Sequence, residues 1–104
     1  MSDFGLSERS TSRIKNILKK YPEVEQAIIY GSRAMGNYRE GSDIDLTLKG
    51  ENLTREIACK IWNDLDDSYL PYFFDLSIYH QLSHQPFIEH IDRVGKLFYQ
   101  REDK

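Results

Sequence analysis

Two short groups of residues in this chain have the types and spacing for phosphate and metal chemistry. In the first group, Gly31 and Ser32 follow an apolar stretch, residues 24–30, whose composition predicts a strand. Backbone can approach a ligand closely at a glycine, and a short helix beginning at Ser32 would direct free N–H groups to the same place. The pattern predicts a phosphate-binding turn at Gly31 and Ser32, with the guanidinium of Arg33 either as a further phosphate contact or as an ordinary surface residue.

The second group follows Ser32 after ten intervening residues, in the alternating stretch Asp-Ile-Asp-Leu-Thr-Leu. Asp43 and Asp45 lie two residues apart, and side chains at that spacing share one face of a strand. Two neighbouring carboxylates repel each other unless a cation lies between them. Hard oxygen ligands suit Mg²⁺ held jointly by protein and substrate phosphates, so the pair predicts a metal–nucleotide site.

A third acid stands in a later strand, predicted over residues 72–79. Asp75 is flanked there by Phe74 and Leu76, and an aspartate is uncommon in a strand and rarely buried without a partner. We expect this strand to lie inside the sheet, beside the strand of the first two acids, so that Asp75 completes a cluster of three carboxylates. An ion-paired structural acid is the alternative reading of Asp75.

These residues carry a family resemblance. The arrangement Gly31-Ser32, ten residues, Asp43-x-Asp45 resembles the signature of the nucleotidyltransferases of the polymerase-β superfamily. The surrounding Gly-Ser-Arg-Ala-Met-Gly and Ser-Asp-Ile-Asp-Leu resemble its minimal, single-domain members, the MNT group. The resemblance implies a nucleotide triphosphate substrate, with ATP expected, and Mg²⁺, with two ions expected on Asp43, Asp45 and Asp75. It also implies that Asp75 matches the family's third catalytic acid, either as a proton acceptor or only as a metal ligand.

The same resemblance implies a protein acceptor and a biological role. MNT proteins are commonly paired with a HEPN-domain partner, and some of them serve as antitoxins. The expected reaction is therefore transfer of AMP to a Tyr, Ser or Thr hydroxyl of a HEPN-type toxin. Two alternatives stay open: a binding module that blocks its partner sterically, and a nucleotidyltransferase for small molecules. Neither an acid nor the Gly-Ser turn is lost here, which favours the enzyme.

Composition limits the other possibilities. The 104 residues predict one domain, 1–104, and the net charge of −3 argues against direct, broad binding of nucleic acid. The single Cys59 excludes an internal disulfide framework and is expected to be a small core residue. No ligand spacing is evident among His80, His84 and His90. The chain has no membrane-type segment, and we expect a cytoplasmic protein, with homo-oligomers allowed.

The periodicity of apolar residues predicts an α/β (α+β) fold, with a small mixed β-sheet and helices packed on one face. Residues 1–9 and 101–104 are expected to be frayed, and Ser10 is the expected cap of the first helix. The expected elements are helix 10–20, strand 24–30, a short helix from Ser32, strand 43–48, helix 53–67, strand 72–79, a helix opened by Ser83 and Pro86 and ended by Gly95, and an extended tail over 96–99.

Overall fold

The order of helices and strands follows the predicted order along the chain. The structure is a computed structural model that describes residues 4–39 and 43–102; Ser42 of the family-like motif and residues 1–3 and 103–104 of the chain ends lie outside them. No helix within the described ranges is long and apolar enough to cross a membrane. The elements are α1 (Glu8–Lys19), β1 (Gln26–Tyr30), α2 (Ser32–Met35), β2 (Ile44–Lys49), α3 (Arg55–Asp66), β3 (Phe74–Ile78), a 3₁₀ turn (Tyr79–Gln81), α4 (Gln85–Val94) and β4 (Lys96–Gln100).

The four strands form one mixed sheet in the order β3-β2-β1-β4, which confirms the predicted fold class. β1 is antiparallel to both β2 and β4, whereas β2 and β3 are parallel. The expectation that the Asp75 strand lies inside the sheet was wrong, because β3 is an edge strand and pairs only with β2 in the described chain. The predicted extended tail forms the opposite edge strand, β4.

Alternating side chains of β1 and β2 build the core against α1 and α3. Ile29 and Leu46 are completely buried, and they face Ile14 of α1 and Ile61 of α3 in one apolar cluster. Helices α1 and α3 pack on one face of the sheet, as the sequence predicted for the helices. Helix α4 instead lies against Tyr30, whose side chain leaves β1 on the other side from Ile29.

Two local expectations need correction. Ser7 caps α1, since its side chain accepts a hydrogen bond from the backbone N–H of Ser10 at 3.1 Å, while Ser10 itself is buried in the first turn. Cys59 is exposed rather than part of the core. It stands two positions before the buried Ile61, and two helical positions differ by more than half a turn, so Cys59 lies on the solvent side of α3.

Both ends of the described chain contact the rest of the protein, although the sequence predicted frayed ends. The carbonyl of Phe4 accepts a hydrogen bond from Arg33 at 2.8 Å, and Leu6 is buried in the core. At the other end, the backbone N–H of Arg101 donates to the carbonyl of Glu25 at 2.8 Å. From residue 4 to residue 102, these ends belong to the folded structure.

Candidate active site

The Gly31 turn lies directly against the carboxylate of Asp45. Gly31 ends β1 and caps α2 with φ +78° and ψ −155°, a conformation that only glycine adopts without strain. A Cβ atom built on Gly31 would overlap Oδ2 of Asp45. Ser32, the first residue of α2, is half-buried beside it. The close approach of backbone predicted for Gly31 is therefore present, and it joins the two halves of the sequence motif.

Strand pairing brings two of the three predicted acids together. Asp45 of β2 and Asp75 of β3 are register partners, so they lie side by side on neighbouring parallel strands. Asp45 stands between Ile44 and Leu46, both completely buried in the core, so its own side chain points to the opposite face of the sheet. Asp75 is exposed on the same face. The result is an acidic surface that pairs a half-buried carboxylate with an exposed one.

Asp43 acts on Asp45 through its charge, but strand pairing does not bring it beside the other two acids. Burial, followed by the negative charges of Asp75 and Asp43, raises the pKa of Asp45 to about 6, and His90 opposes the rise. Within the described ranges, no three His, Cys, Asp or Glu side chains are gathered into a group that could hold a metal ion. The expected three-carboxylate cluster is thus incomplete, because Asp43 precedes β2 and the pairing that aligns Asp45 with Asp75 begins at Ile44.

Uncharged hydroxyl side chains share the face with the acids, and sequence reasoning did not assign them to the site. Tyr30 is the register partner of Asp45, and burial raises the pKa of Tyr30 to about 12, with a hydrogen bond between Tyr30 and Ser77 opposing and the charges of Asp75 and Asp45 adding to the rise. Ser77 donates a hydrogen bond to the fully buried Thr47 at 2.9 Å. Because side chains alternate between the two faces along a strand, the sequence could have placed Tyr30, Thr47 and Ser77 on the same face as the acids.

Helix α4 supplies a histidine and a phenylalanine beside the acids. The rings of Phe87 and His90 meet the ring of Tyr30 edge-on, with centroid distances of 5.4 Å and 6.3 Å. These contacts hold α4 over the β1 side of the acidic face. His90 lowers the pKa of Asp45 against the effects of burial and neighbouring charge, and no spacing in the sequence signals its position.

Arg33 is built into the fold. Its side chain is only 3% exposed, and Nη1 donates to the carbonyl of Phe4 at 2.8 Å. The guanidinium also lies over the rings of Tyr38 and Tyr72, 5.2 Å and 5.1 Å from their centroids. These contacts join the N-terminal segment at Phe4, and Tyr72 just before β3, to helix α2. They therefore favour a structural role for Arg33 over the predicted phosphate contact.

Comparison with protein families identifies a family that has this combination of a glycine turn and strand carboxylates. The model of the family described as "Polymerase beta, Nucleotidyltransferase" matches residues 12–104, which include both halves of the motif and the third acid. This chain belongs to the polymerase-β nucleotidyltransferase family. Membership confirms the resemblance read from the sequence, and it implies a divalent metal ion. The donor set fits such an ion, since carboxylate oxygens are the ligands that hard cations prefer.

Solved structures share the fold of this nucleotidyltransferase. A toxin-antitoxin crystal structure with AMP-PNP superposes with a TM-score of 0.72 at 20% identity, covering 88% of this chain and 74% of the other. A tri-AMPylated Shewanella oneidensis HEPN toxin in complex with MNT antitoxin gives 0.69 at 17% identity, covering 92% and 74%. A MntA-HepT toxin-antitoxin structure gives 0.68 at 18% identity, covering 91% and 74%. Comparison with curated proteins finds no match.

Proposed function

We propose that this protein transfers AMP from ATP to a Tyr, Ser or Thr hydroxyl of a HEPN-domain toxin and thereby acts as its antitoxin. The observation that carries the proposal is the contact of the Gly31 turn with Asp45, with Asp75 directly across from Asp45. A phosphate-binding turn and an acid pair so placed suit a nucleotide triphosphate. The structural neighbours described as an AMP-PNP complex and as a complex with a tri-AMPylated HEPN toxin support the choice of nucleotide and partner.

Each part of the site has a role in this proposal. Backbone N–H groups at Gly31 and Ser32 bind the β- and γ-phosphates. Asp43, Asp45 and Asp75 would hold two Mg²⁺ ions, with the substrate phosphates supplying further ligands. When bound, such a pair of ions stabilises both the attacking and the leaving oxygen of an in-line displacement. Asp45 would be the central ligand, since it touches the Gly31 turn on one side and pairs with Asp75 on the other.

The transfer itself is a displacement at the α-phosphorus of ATP. The acceptor hydroxyl oxygen forms a bond to that phosphorus while the bond to the bridging oxygen breaks, and pyrophosphate leaves. Asp75 would either accept the hydroxyl proton or help to hold the second metal while the proton passes to water, and both roles need it on the acceptor side of Asp45. The exposure of Asp75 lets an acceptor from another protein reach it.

The modification would disable the toxin by charge and bulk. AMP attached to a hydroxyl adds about one negative charge and a large nucleotide, which repels and obstructs RNA at a nuclease site. Because ATP and such an RNase are both cytoplasmic, we place the reaction in the cytoplasm.

Intact-mass spectrometry of the co-expressed HEPN partner tests the proposal. AMP adducts are expected with the wild-type chain and with the control Asp66→Asn, an exposed acid at the end of α3, and should vanish with Asp43→Asn. A partner that stays unmodified yet is neutralised in a stoichiometric complex would favour the steric antitoxin. Modification of small hydroxyl compounds without the partner would favour the small-molecule enzyme.

A further inference from the structure

An exposed aromatic side chain lies on the acidic face and has no role in the mechanism above. Phe73 is 77% exposed and precedes β3 by one residue. Its neighbours Tyr72 and Phe74 both pack against the core, so Phe73 between them is directed to the opposite face, the one that carries Asp75. The backbone N–H of Ile44 donates to the carbonyl of Phe73 at 2.9 Å, which extends the pairing of β2 and β3 to this residue.

The order of strands separates a phosphate side from an acceptor side. The Gly31 turn lies at the end of β1, Asp45 lies on β2, and Phe73 and Asp75 lie along β3 at the sheet edge. In an in-line displacement the attacking oxygen approaches from the side opposite the leaving group. If the phosphates occupy the Gly31 turn, the acceptor must come from the β3 side, where the ring of Phe73 stands.

The backbone of the β3 edge is not free to bind a partner strand at this point. The indole Nε1 of Trp62 donates to the carbonyl of Phe74 at 3.1 Å, which occupies a group that an added strand would need. What this edge offers to another protein is therefore side chains, namely the ring of Phe73 and, from α3, the indole of Trp62, which is 42% exposed. Exposed aromatic rings next to a polar site are typical anchors of protein interfaces.

We propose that Phe73 is a docking residue for the acceptor-bearing segment of the protein partner. Apolar or aromatic side chains that flank the acceptor hydroxyl pack on the Phe73 ring, and this contact places the hydroxyl over Asp75, two residues further along the same face. The inference rests on the proposed function, and it assigns the side of the site from which the partner approaches.

Phe73→Ala tests the assignment, and Leu97→Ala is the matched control because Leu97 is a 52% exposed apolar residue on β4, the other edge of the sheet. For the wild type and both variants, titration calorimetry gives the affinity for the HEPN-domain partner and, separately, for ATP with Mg²⁺. Transfer assays give KM for the partner. Phe73→Ala should weaken partner binding or raise that KM about tenfold, while the Leu97→Ala variant and the ATP affinity of all three proteins stay level.

The outcomes separate this inference from the proposed function. A wild type that binds the partner without modifying it overturns AMP transfer, and the inference is then judged on the binding data alone. Equal partner binding and KM for Phe73→Ala and Leu97→Ala would overturn the docking role. An ATP affinity that falls with Phe73→Ala would also overturn it, since the ring would then contact the nucleobase.

Discussion

Asp45 and Asp75 are register partners on two parallel strands, and the Gly31 turn contacts Asp45 from the other side. The three elements therefore form a row across the sheet: turn, central acid, edge acid. This row explains why the pKa of Asp45 is raised, since its carboxylate is half-buried and lies beside a second negative charge. The fold holds these carboxylates close together although their negative charges repel each other. Removing one of the charges should therefore change both metal binding and the stability of the protein.

Removing both acids of the Asp-x-Asp pair should abolish metal-dependent nucleotide binding. Asp43→Asn combined with Asp45→Asn takes away two anionic oxygen ligands, and an amide is a far weaker ligand for a hard cation. Titration calorimetry with ATP, with and without Mg²⁺, measures the effect. Asp66→Asn with Asp67→Asn, two exposed acids at the end of α3, is the control. Unchanged metal dependence in the folded double variant would contradict the assigned ligands.

Asp75→Asn should hold or raise the melting temperature of the metal-free protein while it lowers activity. The substitution removes a charge that repels Asp45, and residues kept for function commonly cost stability. Differential scanning calorimetry in the presence of a chelator, together with the transfer assay, gives both quantities. A large drop in melting temperature would identify Asp75 as a structural acid with a satisfied partner, the alternative raised from the sequence.

Gly31→Ala should destabilise the fold by about 2 kcal/mol or more, because it adds both backbone strain and an overlap with Asp45. Gly36→Ala is the control, since Gly36 also has a positive φ, +83°, but nothing lies within 4 Å of an added Cβ. That variant should cost about 1 kcal/mol from strain alone. Urea unfolding measures both free energies. Equal costs would show that the Gly31 turn does not need its close approach to Asp45.

Arg33→Lys should destabilise the protein by about 1–3 kcal/mol while nucleotide affinity is unchanged. A lysine cannot lie flat over two tyrosine rings and donate to the Phe4 carbonyl at the same time. Arg55→Lys, at the exposed start of α3, is the control. If ATP affinity fell about tenfold at unchanged stability, the phosphate contact predicted from the sequence would be the correct role.

Tyr21→Phe should lower the free energy of unfolding by about 1 kcal/mol at neutral pH and progressively less at alkaline pH. Tyr21 donates a hydrogen bond to Asp64 at 2.5 Å, and this bond raises the pKa of Tyr21 to about 12. Because the folded-state pKa of Tyr21 lies above its ordinary value of 10, the contribution is complete below pH 10 and is lost as the pH rises through about 12.

Urea unfolding at pH 7 and across the alkaline range measures the difference between the wild type and Tyr21→Phe. Tyr69→Phe is the control, since Tyr69 is 95% exposed. A difference that stayed constant through pH 12 would mean that the Tyr21 hydroxyl does not stabilise the segment after α1 against α3 through Asp64.

Most of the fold could be predicted from short-range patterns in the sequence. The apolar spacing of Ile14, Ile17 and Leu18 defined α1, and the alternation around Asp45 and Asp75 defined which side chains leave the core face. The spacing of Gly31 and the two acids identified the family that comparison then confirmed. These features depend on residues close together in the chain, since helical and strand periods decide them locally.

Only the tertiary structure decided which surfaces meet. The edge position of β3, the burial of Arg33 against Phe4, and the contact of α4 with Tyr30 all join segments distant in sequence. No local period encodes such contacts, because strand order depends on how whole elements share apolar surface. Since β3 is an edge strand, Asp75 and Phe73 face solvent at the side where another protein can approach.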